Sequence, residues 1–169
     1  MGFVHPDRSI IRSLKGAERT FVQVLADGLS DSWSIFTRQD LWTEERPYEI
    51  DVLLMHEKYG FLAMEVKGGP IRIEKGEWYR GNERFSNSPI RQIQDATYEF
   101  RDYLRSQSMQ MGHVQLAHAV VFPDVLKLEG NLPPSCTEDM LFLNPVTVNI
   151  ESLVINCINK SNKRMYLSP

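Results

Sequence analysis

Two cysteines, Cys136 and Cys157, are all that the 169 residues contain. They are too few and too far apart for a disulfide framework or a zinc knuckle, and both read as small buried apolar residues. The four histidines, His5, His56, His113 and His118, form no HxxxH or similar ligand pair, and no serine sits in a GxSxG elbow. Zinc hydrolysis and serine chemistry therefore lack local support. No apolar run approaches the length of a membrane span, and Met1 to Arg19 has no apolar stretch like that of a signal peptide. The expectation is a soluble, cytoplasmic protein with no membrane partner. Internal repeats and low-complexity segments are also missing. At 42% hydrophobic residues, the chain is long enough to bury a real core as one domain over residues 1–169.

A basic excess is missing too, since the net charge is −3. That argues mildly against a nucleic-acid-binding protein, but the charge is unevenly spread. Residues 1–57 carry −4, residues 58–91 carry +3 and residues 92–169 carry −2. The positive stretch holds Arg72, Lys75, Arg80, Arg84 and Arg91, interleaved with Trp78, Tyr79 and Phe85. Basic groups that track phosphates and rings that stack on bases make it a candidate binding strip. A solvated hairpin containing Glu74, Glu77 and Glu83 would look much the same.

Leu14, Ala17, Phe21, Leu25 and Leu29 recur at helical spacing and predict a helix over residues 14–29, with Glu18 on its inward side. Trp33 to Thr37 reads as a strand, followed by a polar loop from Arg38 to Pro47. After the Gly68-Gly69-Pro70 break, Ile71 to Ile73 and Trp78 to Arg80 flank a turn and predict a small hairpin. Ser88-Pro89 signals a helix start, and the stripe Ile90, Ile93, Thr97, Phe100 and Leu104 carries that helix to about Arg105. Val114 to Phe122 and Met140 to Leu143 read as strands and Ile150 to Ile158 as a closing helix. The polar tail over residues 159–169 is expected to be poorly ordered. The order gives a mixed α/β fold, a central mixed sheet flanked by helices, with its core over about residues 14–125 and a terminal strand and helix over 140–158.

The most informative residues interrupt two apolar runs. Asp51 lies in Tyr48-Glu49-Ile50-Asp51-Val52-Leu53-Leu54-Met55, and Glu65-Val66-Lys67 closes Gly60-Phe61-Leu62-Ala63-Met64-Glu65-Val66-Lys67. With only His56-Glu57-Lys58-Tyr59 between them, the runs predict an antiparallel hairpin. A turn symmetric about Lys58 makes facing residue numbers add to 116, placing Asp51 opposite Glu65 and Glu49 opposite Lys67. Facing Cβ atoms lie about 4.5–5.5 Å apart, and like charges so placed need a compensating cation, for which a divalent metal such as Mg²⁺ is the natural choice. A surface set of ion pairs is the plainer account of any one of these residues. It is weaker for the set, because Phe61 and Ala63 share the face of Glu65 while Leu53 and Met55 share that of Asp51.

The helix acid, the hairpin aspartate and the Glu-x-Lys triplet together resemble the PD-(D/E)xK nuclease superfamily. More narrowly, Gly16-Ala17-Glu18-Arg19, Glu49-Ile50-Asp51, Gly60-Phe61 leading to Glu65-Val66-Lys67, and Asn87-Ser88-Pro89-Ile90-Arg91-Gln92 resemble the nuclease-related domain (NERD) family over roughly residues 15–125. The resemblance implies a restriction-endonuclease-like αβββαβ core and hydrolysis of DNA phosphodiester bonds with Mg²⁺ or Mn²⁺. It also implies attachment or partnership with helicase or kinase-like modules. It assigns metal binding to Asp51 and Glu65, phosphate stabilisation to Lys67, the helix acid to Glu18, and a place near the phosphate or attacking water to Gln92. Ile50 stands where the superfamily has its proline, which supplies no ligand. Gln94, which begins Gln94-x-x-x-Tyr98, competes with Gln92 for the glutamine role, and Gln92 is favoured by its interval after Ser-Pro.

The chemistry agrees with the spacing. A metal held by Asp51 and Glu65 would polarise the phosphate and acidify a bound water while Lys67 meets the developing charge. Glu18, the Val66 carbonyl and, less strongly, Glu49 are further ligand candidates. RNA as substrate, a homodimer and the count of metals stay open. A module that binds nucleic-acid ends or junctions without cutting is the rival from another class. A carboxylate-pair glycosidase gives no account of Lys67.

Overall fold

The computed structural model describes residues 1–43, 46–108, 113–144 and 149–167. Its elements are β1 (Phe3–Val4), α1 (Gly16–Gly28), β2 (Trp33–Trp42), β3 (Pro47–His56), β4 (Gly60–Val66), β5 (Ile71–Glu74), β6 (Glu77–Arg80) and β7 (Glu83–Arg84). They are followed by α2 (Pro89–Gln107), β8 (Leu116–Phe122), β9 (Leu141–Leu143) and α3 (Ile150–Leu167). Six strands form a mixed sheet in the order β1-β2-β3-β4-β8-β9, and β5-β6-β7 form a second, smaller sheet. The series α1, β2, β3, β4, α2, β8 is the expected αβββαβ core, with the small sheet inserted before α2. Among the described residues no helix is long and apolar enough to cross a membrane.

β4 occupies the middle of the sheet, antiparallel to β3 and parallel to β8, and all seven of its residues are buried. Its near-continuous apolar run is what a strand covered on both faces requires. One face packs Val52, Leu54, Leu62 and Met64 against Phe21, Val22 and Leu25 of α1 and Val154 and Ile158 of α3. The other packs Leu53, Phe61 and Ala63 against Ile90, Ile93 and Phe100 of α2, together with Ile71, Ile73 and Trp78 of the small sheet. The β3–β4 pairs Val52↔Met64, Leu53↔Ala63, Leu54↔Leu62, Met55↔Phe61 and His56↔Gly60 all add to the expected 116.

Helix α2 begins as its sequence signals: the Ser88 hydroxyl accepts from the Arg91 N–H at 3.2 Å and Pro89 stands at the helix start. In the small hairpin, Lys75 and Gly76 form a two-residue turn with φ of 51° and 83°, between the facing pair Glu74↔Glu77. Two positive φ values in succession match the twist of the flanking strands, which is why glycine closes the turn.

Several boundaries depart from expectation: α1 starts at Gly16 instead of Leu14, and β9 at Leu141 instead of Met140. The stretch from Arg38 to Trp42, expected as loop, continues β2 and pairs through Gln39↔Ile50 to Trp42↔Pro47. Polar residues suit this part of the strand because its burial falls away beyond Thr37. β8 starts at Leu116 instead of Val114. Finally, α3 runs on through the polar stretch to Leu167, where a poorly ordered tail was expected from residue 159; Ser168 and Pro169 lie outside the described residues, as do Glu44 and Glu45 of the expected loop.

Candidate active site

Val52↔Met64 is the last backbone pair of the β3–β4 ladder, and Asp51 and Glu65 are the next residues along. Asp51 replaces the missing rung with its side chain: Oδ2 accepts from the Val66 N–H at 2.7 Å. On its other side the β2–β3 pairing skips the Arg38/Asp51 position, where Arg38 takes a left-handed φ of 51°. Asp51 thus sits where the sheet opens, its carboxylate anchored by one oxygen.

Here a cleft of about 300 Å³ is lined by Arg46, Tyr48, Glu49, Asp51, Glu65, Lys67, Asn87, Gln92 and Asp95, among others. Glu65 is 6% exposed, the only buried carboxylate among the described residues. Lys67 Nζ forms an ion pair with its Oε1. Burial first, and the Glu65 charge second, push the Asp51 carboxyl up to about 7, against the pull of the Val66 N–H and Lys67. Burial also raises Glu65, with Lys67 opposing it and Glu49 and Glu18 adding to it. Two carboxylates each made harder to ionise by burial, and one by the other, form a site that a further positive charge would relieve.

Glu18 stands close enough for its charge to act on both acids. It does not line the cleft, and its Oε2 accepts from Arg38 Nε at 3.1 Å and Nη2 at 2.9 Å. Gln92 projects from the first turns of α2 into the cleft, and its Oε1 is buried without a hydrogen-bond partner. Asp95 and Ala96, three and four residues on, share that face of the helix, whereas Gln94 does not line the cleft.

The expected binding strip lies elsewhere. None of Arg72, Lys75, Trp78, Arg80, Arg84 and Arg91 lines the cleft. Trp78 is 2% exposed and packs against Phe122, so its ring belongs to the core and not to the surface the sequence reading gave it. Alternation along β6 accounts for this, since the small sheet turns that face inward. Arg72 pairs with Glu74 and lies over Tyr79, Arg80 lies over Phe85, and Arg84 pairs with Glu77. Sequence reasoning missed Arg46, Tyr48 and Asp95. Arg46 and Tyr48 flank the start of β3 only once β2 is known to continue to Trp42, and Asp95 was legible as the residue one turn after Gln92.

Among the described residues no three His, Cys, Asp or Glu side chains gather closely enough to hold a metal ion. Of the acids in the cleft, Asp51 and Glu65 are the pair that could hold one. Such a pair would suit Mg²⁺ or Mn²⁺, hard ions content with one or two protein carboxylates and otherwise water or phosphate oxygen, better than zinc.

Compared with known proteins, residues 13–123 match the family model of the nuclease-related domain. No curated protein and no solved structure matches the chain.

Proposed function

The chain belongs to the nuclease-related domain family, and on that premise we propose that it is a divalent-metal-dependent nuclease hydrolysing DNA phosphodiester bonds in the Asp51–Glu65 cleft. The observation that carries the reading is the pair itself: two carboxylates, both raised by burial, brought together where the hairpin ladder ends with Lys67 on one of them. Burying two like charges together costs the fold stability that a bound cation would offset.

Asp51 and Glu65 would hold Mg²⁺ or Mn²⁺, with the Val66 carbonyl and Glu18 as further candidates. Bound there, the ion would supply Lewis-acid polarisation of the phosphoryl oxygen and a more acidic water. The chain's own groups do the rest. Lys67 places an ammonium beside the phosphorane charge that develops as water adds to phosphorus and the P–O ester bond breaks, leaving a phosphate monoester and a hydroxyl. Gln92 offers its unpartnered Oε1 as acceptor to the attacking water. The Asp51 Oδ2 bond to the Val66 N–H keeps that carboxylate from rotating out of place.

The test is to incubate the purified chain with labelled single-stranded, duplex and branched DNA and with RNA, in Mg²⁺, Mn²⁺ or EDTA, beside Asp51→Ala and Lys67→Ala. Metal-dependent cleavage that falls at least about 100-fold in both variants is expected. Binding without cleavage in every metal would sink the nuclease reading and favour a non-catalytic nucleic-acid module. Full cleavage by both variants would sink the site assignment.

A further inference from the structure

Three acids near Asp51 are each engaged by a cation: Glu18 by Arg38, Glu65 by Lys67 and Asp95 by Arg46. The three cations are differently placed. Arg38 gives both Nε and Nη2 to one oxygen of Glu18 and does not line the cleft. Lys67 is bound to a proposed metal ligand. Arg46 lines the cleft, its side chain is 54% exposed, and its ion pair with Asp95 is a single Nη2 contact of 3.0 Å. Its guanidinium lies over the Tyr48 ring, 4.5 Å from the centroid. Its main chain is tied to Thr43, whose hydroxyl donates to the Arg46 carbonyl at 2.8 Å and accepts from the Arg46 N–H at 3.2 Å. The result is an arginine rooted at its main chain, oriented by an aromatic ring, and tied at its tip by an exposed single contact of the kind held only weakly. A planar guanidinium fork matches a phosphate better than one carboxylate oxygen does.

We propose that Arg46 is a substrate-binding residue that exchanges Asp95 for a backbone phosphate of the DNA strand in the cleft. Asp95 holds the guanidinium at the cleft mouth until a strand arrives and competes with the phosphate for it. The identity of the ligand rests on the nuclease reading; the exchange itself rests on the geometry of Arg46, Tyr48 and Asp95.

Fluorescence anisotropy of a labelled single-stranded oligonucleotide in EDTA, where cleavage is stopped, tests the exchange at salt from 50 to 200 mM. Arg46→Ala should weaken binding about 5–10-fold and flatten the salt dependence by about one phosphate contact. Arg46→Lys should keep most of the salt dependence with weaker binding. Asp95→Asn should tighten binding about 2–5-fold, because it removes the competitor. That gain separates exchange from a merely structural clamp, for which Asp95→Asn would weaken binding as Arg46→Ala does. Should Arg46→Ala fail to fold, Arg46→Gln reads the same slope. Cleavage in Mg²⁺ by a protein whose DNA affinity ignores Arg46 overturns this proposal and leaves the nuclease reading standing. Arg46-dependent binding with no cleavage in any metal does the reverse, and no binding of DNA overturns both.

Discussion

Asp51 shows how one residue serves the backbone and the site at once. Its Oδ2 closes the end of the β3–β4 ladder through the Val66 N–H, yet burial and Glu65 raise its carboxyl from 3.8 to about 7. In the unfolded chain Asp51 returns to an ordinary carboxylate value, so between about pH 4 and 7 the folded, metal-free protein holds a proton there that the unfolded chain has lost. Stability from this source is full below that window and is lost as pH rises through 7. Asparagine at position 51 carries no charge and keeps an oxygen for the Val66 N–H. In EDTA at pH 8, Asp51→Asn should therefore melt above the parent, by about 5 °C, while the gap narrows toward pH 4. Calorimetric scans at the two pH values check this, and a variant that melts lower than the parent at pH 8 contradicts it. Position 78 teaches the opposite lesson: a tryptophan between basic residues looked like a stacking platform, but composition does not say which way an alternating strand faces, and Trp78 faces the core.

At the scale of the element, the turn between β3 and β4 decides where the acids meet. Gly60 has φ +83°, and a Cβ there would stand 2.2 Å from the Gln115 carbonyl oxygen, a backbone atom that cannot step aside. That same oxygen accepts the Phe61 N–H at 2.8 Å, tying the strand after the turn to the residue that leads into β8. Gly60→Ala should cost roughly 2–4 kcal/mol, from the left-handed backbone and the collision together. Urea denaturation followed by tryptophan fluorescence reads this as a lowered midpoint; an unchanged midpoint would mean the turn adapts. The hairpin, its register, the Ser88 cap and the small Lys75-Gly76 turn were all legible in the sequence because each is set by neighbours within a few residues. The continuation of β2 through Arg38 to Trp42 was not legible, because those polar residues are held in a strand by pairing with β3 and not by any apolar pattern of their own. The Arg46–Asp95 contact, 49 residues apart in sequence, was hidden for the same reason.

For the molecule as a whole, the segment matched by the family stops at residue 123, but the core does not. Phe142, Ile150, Val154, Cys157 and Ile158 fill the face of the sheet shared with α1, and β9 pairs with the edge of β8. Five such side chains contribute on the order of 10 kcal/mol of burial, comparable to the whole stability of an ordinary domain. A chain ending at Pro123 should consequently bind a hydrophobic dye and give a poorly dispersed amide spectrum. A dispersed, cooperative spectrum would show that the matched segment folds alone. The topology also bears on the order in which the cleft is built. Asp51, Glu65 and Lys67 come from one hairpin closed over a short turn, whereas β4 meets β8 through pairs such as Phe61↔Leu116, with the small sheet and α2 lying in the chain between. Local contacts close sooner than distant ones. On that principle the two carboxylates should become neighbours before Gln92 faces them, with their repulsion felt on the way into the native state. Relief of that repulsion should accelerate folding more than it slows unfolding.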